Sequence, residues 1–163
     1  MNTCYNLLDV HVEQGYGDDL ALIYDSPITG VKKKYTYQQM KTEAAKFARI
    51  LVNMGVQKGD RVVIYMPMVP EALFAIHGCS RIGAVHSVVF GGFASQELSK
   101  RIDHCEPKVI VTATCGYEPG RIVRYQPLVE EALNLSSHQP NNVVVVDRMD
   151  EVTNQNAPKN GKK

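Results

Sequence analysis

Val62-Val63-Ile64-Tyr65 is a short, nearly continuous run of apolar and mostly β-branched residues. Three runs of the same kind follow it: Ala84-Val85-His86-Ser87-Val88-Val89-Phe90, Val109-Ile110-Val111 and Val143-Val144-Val145-Val146. A strand covered on one face alternates apolar and polar side chains, and a strand covered on both faces loses that alternation. These runs therefore read as strands buried on both faces, the kind found in parallel sheets.

Helical patterns lie before and between the runs. Thr36-Tyr37-Gln38-Gln39 is a capping box, followed by Met40, Ala44, Phe47, Ala48 and Leu51 at helical spacing and a stop at Gly55. Pro70 and Glu71 suit a first helical turn, and that helix runs through Leu73, Ile76 and Cys79 to Gly83. A third is expected from a cap at Ser95, with Leu98, Ile102 and Cys105 on one face, ending before Pro107. A fourth is expected after Pro127, through Leu128, Val129, Ala132 and Leu133. Strand and helix thus alternate, which predicts an α/β fold: a Rossmann-like parallel sheet, right-handed crossovers and helices on both faces. Ahead of it, residues 5–14 read as helical. Residues 20–25 and 34–37 read as two strands joined at Pro27-Ile28-Thr29-Gly30.

One ordered unit is expected over residues 1–147. Residues 148–163 hold three apolar residues among Asn, Asp, Lys, Gly and Pro, and are expected to form a polar, disordered tail. The 163 residues carry 18 Lys+Arg and 17 Asp+Glu, so no basic surplus marks a nucleic-acid binder. No apolar run approaches the roughly 20 residues of a membrane span. The N-terminus reads as neither a secretory signal nor an Arg-rich transit peptide. Cys4, Cys79, Cys105 and Cys115 are widely spaced, form no zinc or disulfide pattern, and point to a reducing compartment. Cys79 and Cys105 read as small apolar residues on buried helix faces.

Three stretches are candidates for ligand contact, because open α/β sheets bind ligands beyond the carboxyl ends of their strands. In Phe90-Gly91-Gly92-Phe93, paired glycines permit close backbone approach to a ligand, or simply make the turn toward the helix at Ser95; spacing leaves both readings open. In Cys115-Gly116-Tyr117-Glu118-Pro119-Gly120-Arg121, the Arg121 guanidinium has the donors for a phosphate clamp, although a solvated arginine on a surface loop is the plainer reading. Tyr65-Met66-Pro67-Met68-Val69-Pro70 either lines an apolar pocket or packs a turn. The five histidines show no ligand or relay spacing, and His86 reads as a core histidine. Glu130-Glu131 is no acid–base pair, since adjacent helical residues face apart. The dinucleotide fingerprint, the serine nucleophile elbow, the zinc-protease motif and the P-loop are all missing, so no metal or catalytic residue is assigned.

At these same residues the chain resembles the AMP-forming short-chain acyl-CoA synthetases, the acetyl- and propionyl-CoA synthetase group. The likeness rests on Asn2-Thr3-Cys4-Tyr5-Asn6, on Ala21-Leu22-Ile23-Tyr24-Asp25-Ser26-Pro27 and on Lys58-Gly59-Asp60-Arg61 leading into Val62 and on to Met68. It continues in Arg81-Ile82-Gly83-Ala84-Val85-His86 through Phe93 and in Glu118-Pro119-Gly120-Arg121. It covers roughly residues 2–147, and Tyr-Asp-Ser-Pro with Glu-Pro-Gly-Arg is most like the propionate-preferring mitochondrial branch. The resemblance implies a partial N-terminal subdomain of an adenylate-forming enzyme. Such enzymes join a short carboxylate to AMP using ATP and Mg²⁺, then transfer the acyl group to CoA. It implies that Phe90, Gly91 and Gly92 lie along the CoA adenine nucleotide. It also implies that Glu118, Pro119, Gly120 and Arg121 form a CoA-contacting loop with Arg121 near its phosphate. Acetyl-CoA synthetases usually carry a basic residue at the position of Glu118. The family's Ser/Thr/Gly-rich phosphate loop, acyl pocket, ribose-binding Asp and catalytic Lys have no counterpart in these residues. The chain is accordingly expected to be an N-terminal fragment, inactive alone and binding CoA weakly at most. A non-catalytic CoA binder or partner-docking product is the alternative. The mitochondrial matrix is the implied location, otherwise the cytoplasm. A sheet cut partway implies self-association through an exposed edge.

Overall fold

A computed structural model describes residues 1–148. At its centre is a four-stranded, fully parallel sheet of β3 (Arg61–Met66), β4 (Val85–Phe90), β5 (Val109–Ala113) and β8 (Asn142–Val146), in the order β4-β3-β5-β8. Val62 pairs with His86 on one side and with Val109 on the other. All four valine-rich runs are thus parallel strands. Burial on both faces holds only for the central pair. β3 and β5 are almost wholly buried, while Val85, Val88 and Phe90 of β4 and Val145 of β8 are exposed. The outer strands are apolar yet half-covered because each has a neighbour on one side only among the described residues.

Handedness places the helices. From β3 the chain crosses through α2 (Pro70–Ile82) to β4, then returns across β3 through α3 (Ser95–Cys105) to β5, and continues in the same direction through α4 (Tyr125–Leu135) to β8. Right-handed crossovers made in opposite directions put α2 on one face and α3 and α4 on the other. Two apolar clusters reflect this. Val62, Ile64, Val109 and Val111 meet Phe47, Leu51, Phe74 and Cys79 of α1 (Tyr37–Asn53) and α2. Val63, Tyr65 and Ile110 meet Leu98, Ile102, Val129 and Ala132 of α3 and α4. β-Branched side chains alternating along β3 thus feed two cores from one strand.

The local signals hold where they are backbone chemistry. Thr36 accepts from the Gln39 amide and the Gln39 side chain accepts from the Thr36 amide, completing the capping box of α1. Gly83 ends α2 at φ 74°. Two helix starts differ from expectation. The cap of α3 is Ala94, and Ser95 turns its hydroxyl to Glu131 of α4 at 2.8 Å, because a helix partner is in reach. Helix α4 begins at Tyr125, and Pro127 sits inside its first turn, where a missing N–H costs nothing. Cys105 is half-buried rather than on a buried face, its thiol donating to the Arg101 carbonyl. Cys79 is fully buried, which pushes its thiol pKa up to about 12.

Residues 115–121, for which a surface loop is the plainer reading from sequence, belong to an antiparallel hairpin of β6 (Cys115–Glu118) and β7 (Arg121–Arg124). Each strand has four residues, too short for periodicity to register. The N-terminal hairpin joins β1 (Leu20–Asp25) to β2 (Lys32–Thr36), which starts two residues before the expected strand. Before it, π-helical segments at Tyr5–Asp9 and Val12–Tyr16 bring buried Asp9 onto Arg81, whose guanidinium donates to both carboxylate oxygens at 3.2 and 2.6 Å. Of the expected tail, Arg148 is described and is 5% exposed; residues 149–163 lie outside the described residues. No described helix is long and apolar enough to cross a membrane.

Candidate functional site

The loop after β3 leads to one face of the sheet, and the loops after β4 and β5 lead to the other. A crevice opens where such loops diverge, at the carboxyl ends of the strands. A cleft of about 510 Å³ lies there. Its floor comes from Met66, Pro67 and Val69 at and beyond the end of β3 and from Val89, Gly91 and Gly92 at and beyond the end of β4. One flank is the β1–β2 turn at Asp25, Ser26, Pro27 and Ile28. The other is Gly116, Tyr117 and Glu118 of β6, with Tyr125 and Arg148 beneath.

The cleft brings together candidates that are far apart in the chain. Phe90, Gly91, Gly92 and Glu118 all line it, as do four residues of the Tyr65–Pro70 stretch. Pro119, Gly120 and Arg121 do not; they form the turn beyond its rim. The close backbone approach that glycine permits is used by the chain itself. A Cβ on Gly91 would collide with the Tyr125 hydroxyl and the Met66 carbonyl, and one on Gly116 would lie 2.8 Å from the other side of the Tyr125 ring. Tyr125 is therefore clasped between the two glycines, and their backbones form the cleft wall above it. Gly91 and Gly92 are absent from the positive-φ glycines, so the need is for space and not for a left-handed turn. Phe90 is 65% exposed and meets Phe93 edge-on at 5.8 Å, leaving an aromatic surface at the mouth.

Beneath the wall, Tyr65 is fully buried and donates to the Phe93 carbonyl at 2.6 Å, which anchors the loop after β4. Burial pushes the Tyr65 phenol up to about 12. Tyr125 is raised as well, chiefly by burial and then by the nearby Glu118 carboxylate. Both phenols stay protonated near neutrality. The cleft therefore offers apolar walls, the Tyr125 phenol and backbone groups, with Asp25 and Glu118 on its flanks and Arg148 beneath.

Arg148 is the residue sequence reasoning missed. It donates from Nη1 to the Cys115 carbonyl at 3.0 Å, and its guanidinium lies 5.1 Å from the Tyr117 ring centre. Its amide donates to Thr114 Oγ1 at 2.9 Å, and its carbonyl accepts from the Tyr117 hydroxyl at 2.8 Å. These contacts tie the β6–β7 hairpin to the end of β8. The only hint in the sequence is its place two residues beyond an apolar strand. At the hairpin's tip, the Arg121 guanidinium donates from Nε to Glu118 Oε2 at 2.7 Å, with Nη2 2.6 Å from the same oxygen. His86 is half-buried on β4 toward the opposite end of the sheet, where it lines a second, open groove. Among the described residues no three His, Cys, Asp or Glu side chains converge to hold a metal ion.

The profile described as AMP-binding enzyme matches residues 9–163. The chain belongs to the AMP-binding enzyme family. Within it, the chain is 54% identical over 148 residues to the human acyl-CoA synthetase short-chain family member 3, mitochondrial. It is 50% identical over 151 residues to the acyl-CoA synthetase short-chain family member B, mitochondrial, of Dictyostelium discoideum. It is 44% identical over 147 residues to the propionate–CoA ligase of Escherichia coli K12. These alignments cover 91%, 92% and 90% of this chain. The chain spans about a fifth of the length of the relatives it matches, 22% of the first two and 23% of the third. The chain is thus similar to short-chain acyl-CoA synthetases over about nine-tenths of its length.

Proposed function

We propose that this chain supplies the CoA-nucleotide wall of a short-chain acyl-CoA ligase acting on propionate or acetate. In the complete reaction a carboxylate oxygen attacks the α-phosphorus of ATP and pyrophosphate leaves; the CoA thiol then attacks the acyl carbon and AMP leaves. The convergence of Phe90, Gly91, Gly92 and Glu118 in one cleft at the carboxyl end of the sheet carries the reading. Exposed Phe90 provides an aromatic face for a base, and the Gly91-Gly92 backbone provides the wall beside it. Identity to a propionate–CoA ligase supports the substrate class. Magnesium travels with the triphosphate in such reactions, and no part in holding it is assigned to the described residues. Transition-state stabilisation at phosphorus needs positioned cationic or backbone donors around the phosphates. No Ser/Thr/Gly-rich loop ending in Lys occurs in these 163 residues, so alone they are expected to leave propionate, ATP and CoA unconverted. The mitochondrial relatives support placement in the matrix.

Isotope-labelled chain titrated with CoA should show millimolar binding with amide shifts at Phe90, Gly91, Gly92 and Glu118, weak because one wall buries only part of a ligand. Shifts confined to other regions, or none at millimolar CoA, would overturn the proposal. The same sample supplied with propionate, ATP and Mg²⁺ should yield no propionyl-CoA. Clear turnover would contradict the expectation that these residues are inactive alone.

A further inference from the structure

We infer that Glu118 determines specificity at this site by occupying one anion-binding edge of Arg121 and setting a negative charge beside the other, which weakens any clamp on the terminal 3′-phosphate of CoA. The inference rests on the proposed CoA site and concerns which part of that ligand the site rewards. A guanidinium binds phosphate best through two parallel donors on one edge. In Arg121 the Nε and Nη2 edge already converges on a single oxygen, Glu118 Oε2, at 2.7 and 2.6 Å. The backbone holds the two residues there. Glu118 and Arg121 are directly paired across β6 and β7, and Pro119-Gly120 closes the turn with Gly120 at φ 77°. Pro at the first and Gly at the second central position suit a type II turn, which fixes the facing pair with little entropy left to lose.

The charges do the rest. A phosphate that approaches the Nε and Nη2 edge must displace a carboxylate that the turn keeps within reach, and on either edge it sits beside that negative charge. Of the other cations nearby, Arg124 on the hairpin pairs with Cys115 at the far end, and Arg148, which follows β8 and lines the cleft from beneath, is buried against Tyr117 and the Cys115 carbonyl. Glu118 also lines the cleft while Arg121 stands outside it. The face turned to the ligand is therefore the acidic member of the pair. The cleft should reward the base and sugar of the nucleotide and gain little from the 3′-phosphate.

The test compares CoA with dephospho-CoA, which differs only in that phosphate, by titration of the full chain at low salt. The wild-type chain should bind the two within about twofold of each other. E118Q keeps the shape, removes the charge that holds the Arg121 edge and should shift the ratio toward CoA by roughly two- to fivefold, the scale of an exposed ion pair. That gain should vanish in E118Q/R121Q and shrink at high salt. If both ligands bind at the cleft and E118Q leaves their ratio unchanged, the inference fails and the proposed site stands. A wild-type chain that already prefers CoA severalfold, with R121Q abolishing the preference, also overturns it. If neither ligand binds at millimolar concentration, the proposed site fails and the inference falls with it.

Discussion

Tyr125 shows how much of the cleft is set by single side chains. Its ring fills the space that Gly91 and Gly116 leave open. Gly91→Ala should push the β4–α3 loop away from Met66 and destabilise the fold by about 1–3 kcal/mol, the usual range for overpacking; a urea melt reads it directly. Tyr65→Phe removes the bond to the Phe93 carbonyl and should cost about 1 kcal/mol. It should also broaden the amide signals of residues 91–93 if that bond anchors the loop. His77 and His86 are both shifted down from 6.5, mainly by burial, and His86 adds to the shift of His77. A histidine kept neutral in the fold binds fewer protons folded than unfolded. Stability should therefore fall as pH drops below 6.5, and stop falling only once the folded histidines protonate as well. The lowered carboxylates Asp60, Glu97 and Asp103 start below 5, so their losses come at more acid pH. Denaturant midpoints between about pH 7.5 and pH 5.5 should decline in the wild type and flatten in H77Q/H86Q; equal slopes would refute the assignment.

Among the elements, α1 is the one most completely written into its own sequence. Its capping box satisfies two of the four amides that a helix start leaves orphaned, and its apolar stripe faces the α2 side of the sheet. Thr36→Ala should cost about 1 kcal/mol without altering the fold, measured as a shift in urea midpoint at constant slope. The β6–β7 hairpin is the opposite case. Nothing local marks it as strand, and its anchor, Arg148, arrives from beyond β8. Ser95 makes the same point on a smaller scale: it has the right chemistry for a cap, yet a carboxylate on the neighbouring helix takes the hydroxyl. Caps, stops and turns depend on residues a few positions apart and are legible. Which of two competing partners a side chain takes depends on the packing of distant elements.

For the molecule as a whole, the sheet ends in two strands whose outer edges have no neighbour among the described residues, and both edges are apolar. Unpaired backbone donors beside exposed Val85, Val88 and Phe90 favour pairing with another chain. Sedimentation should report concentration-dependent association, and Val88→Lys should reduce it by placing a charge beside the β4 edge. A chain that stays monomeric at high concentration would count against this expectation. The cleft belongs to the same scale, since it exists only where loops after three different strands diverge.

Period, capping and turn chemistry in the chain were enough to determine a parallel α/β sheet, its strand positions, most helix ends and the two glycine-bearing stretches near the cleft. These follow from local backbone preferences and from apolar runs long enough to mark a strand, though not to tell whether both its faces are covered. Only the tertiary structure decided that β4 and β8 lie at the edges, that Gly91 and Gly116 clasp Tyr125, and that Arg148 closes the site from below. It also decided that Arg121 stands outside the cleft, bound to Glu118. Each of these is a choice among partners distant in sequence, and excluded volume settles that choice only once the layers have packed.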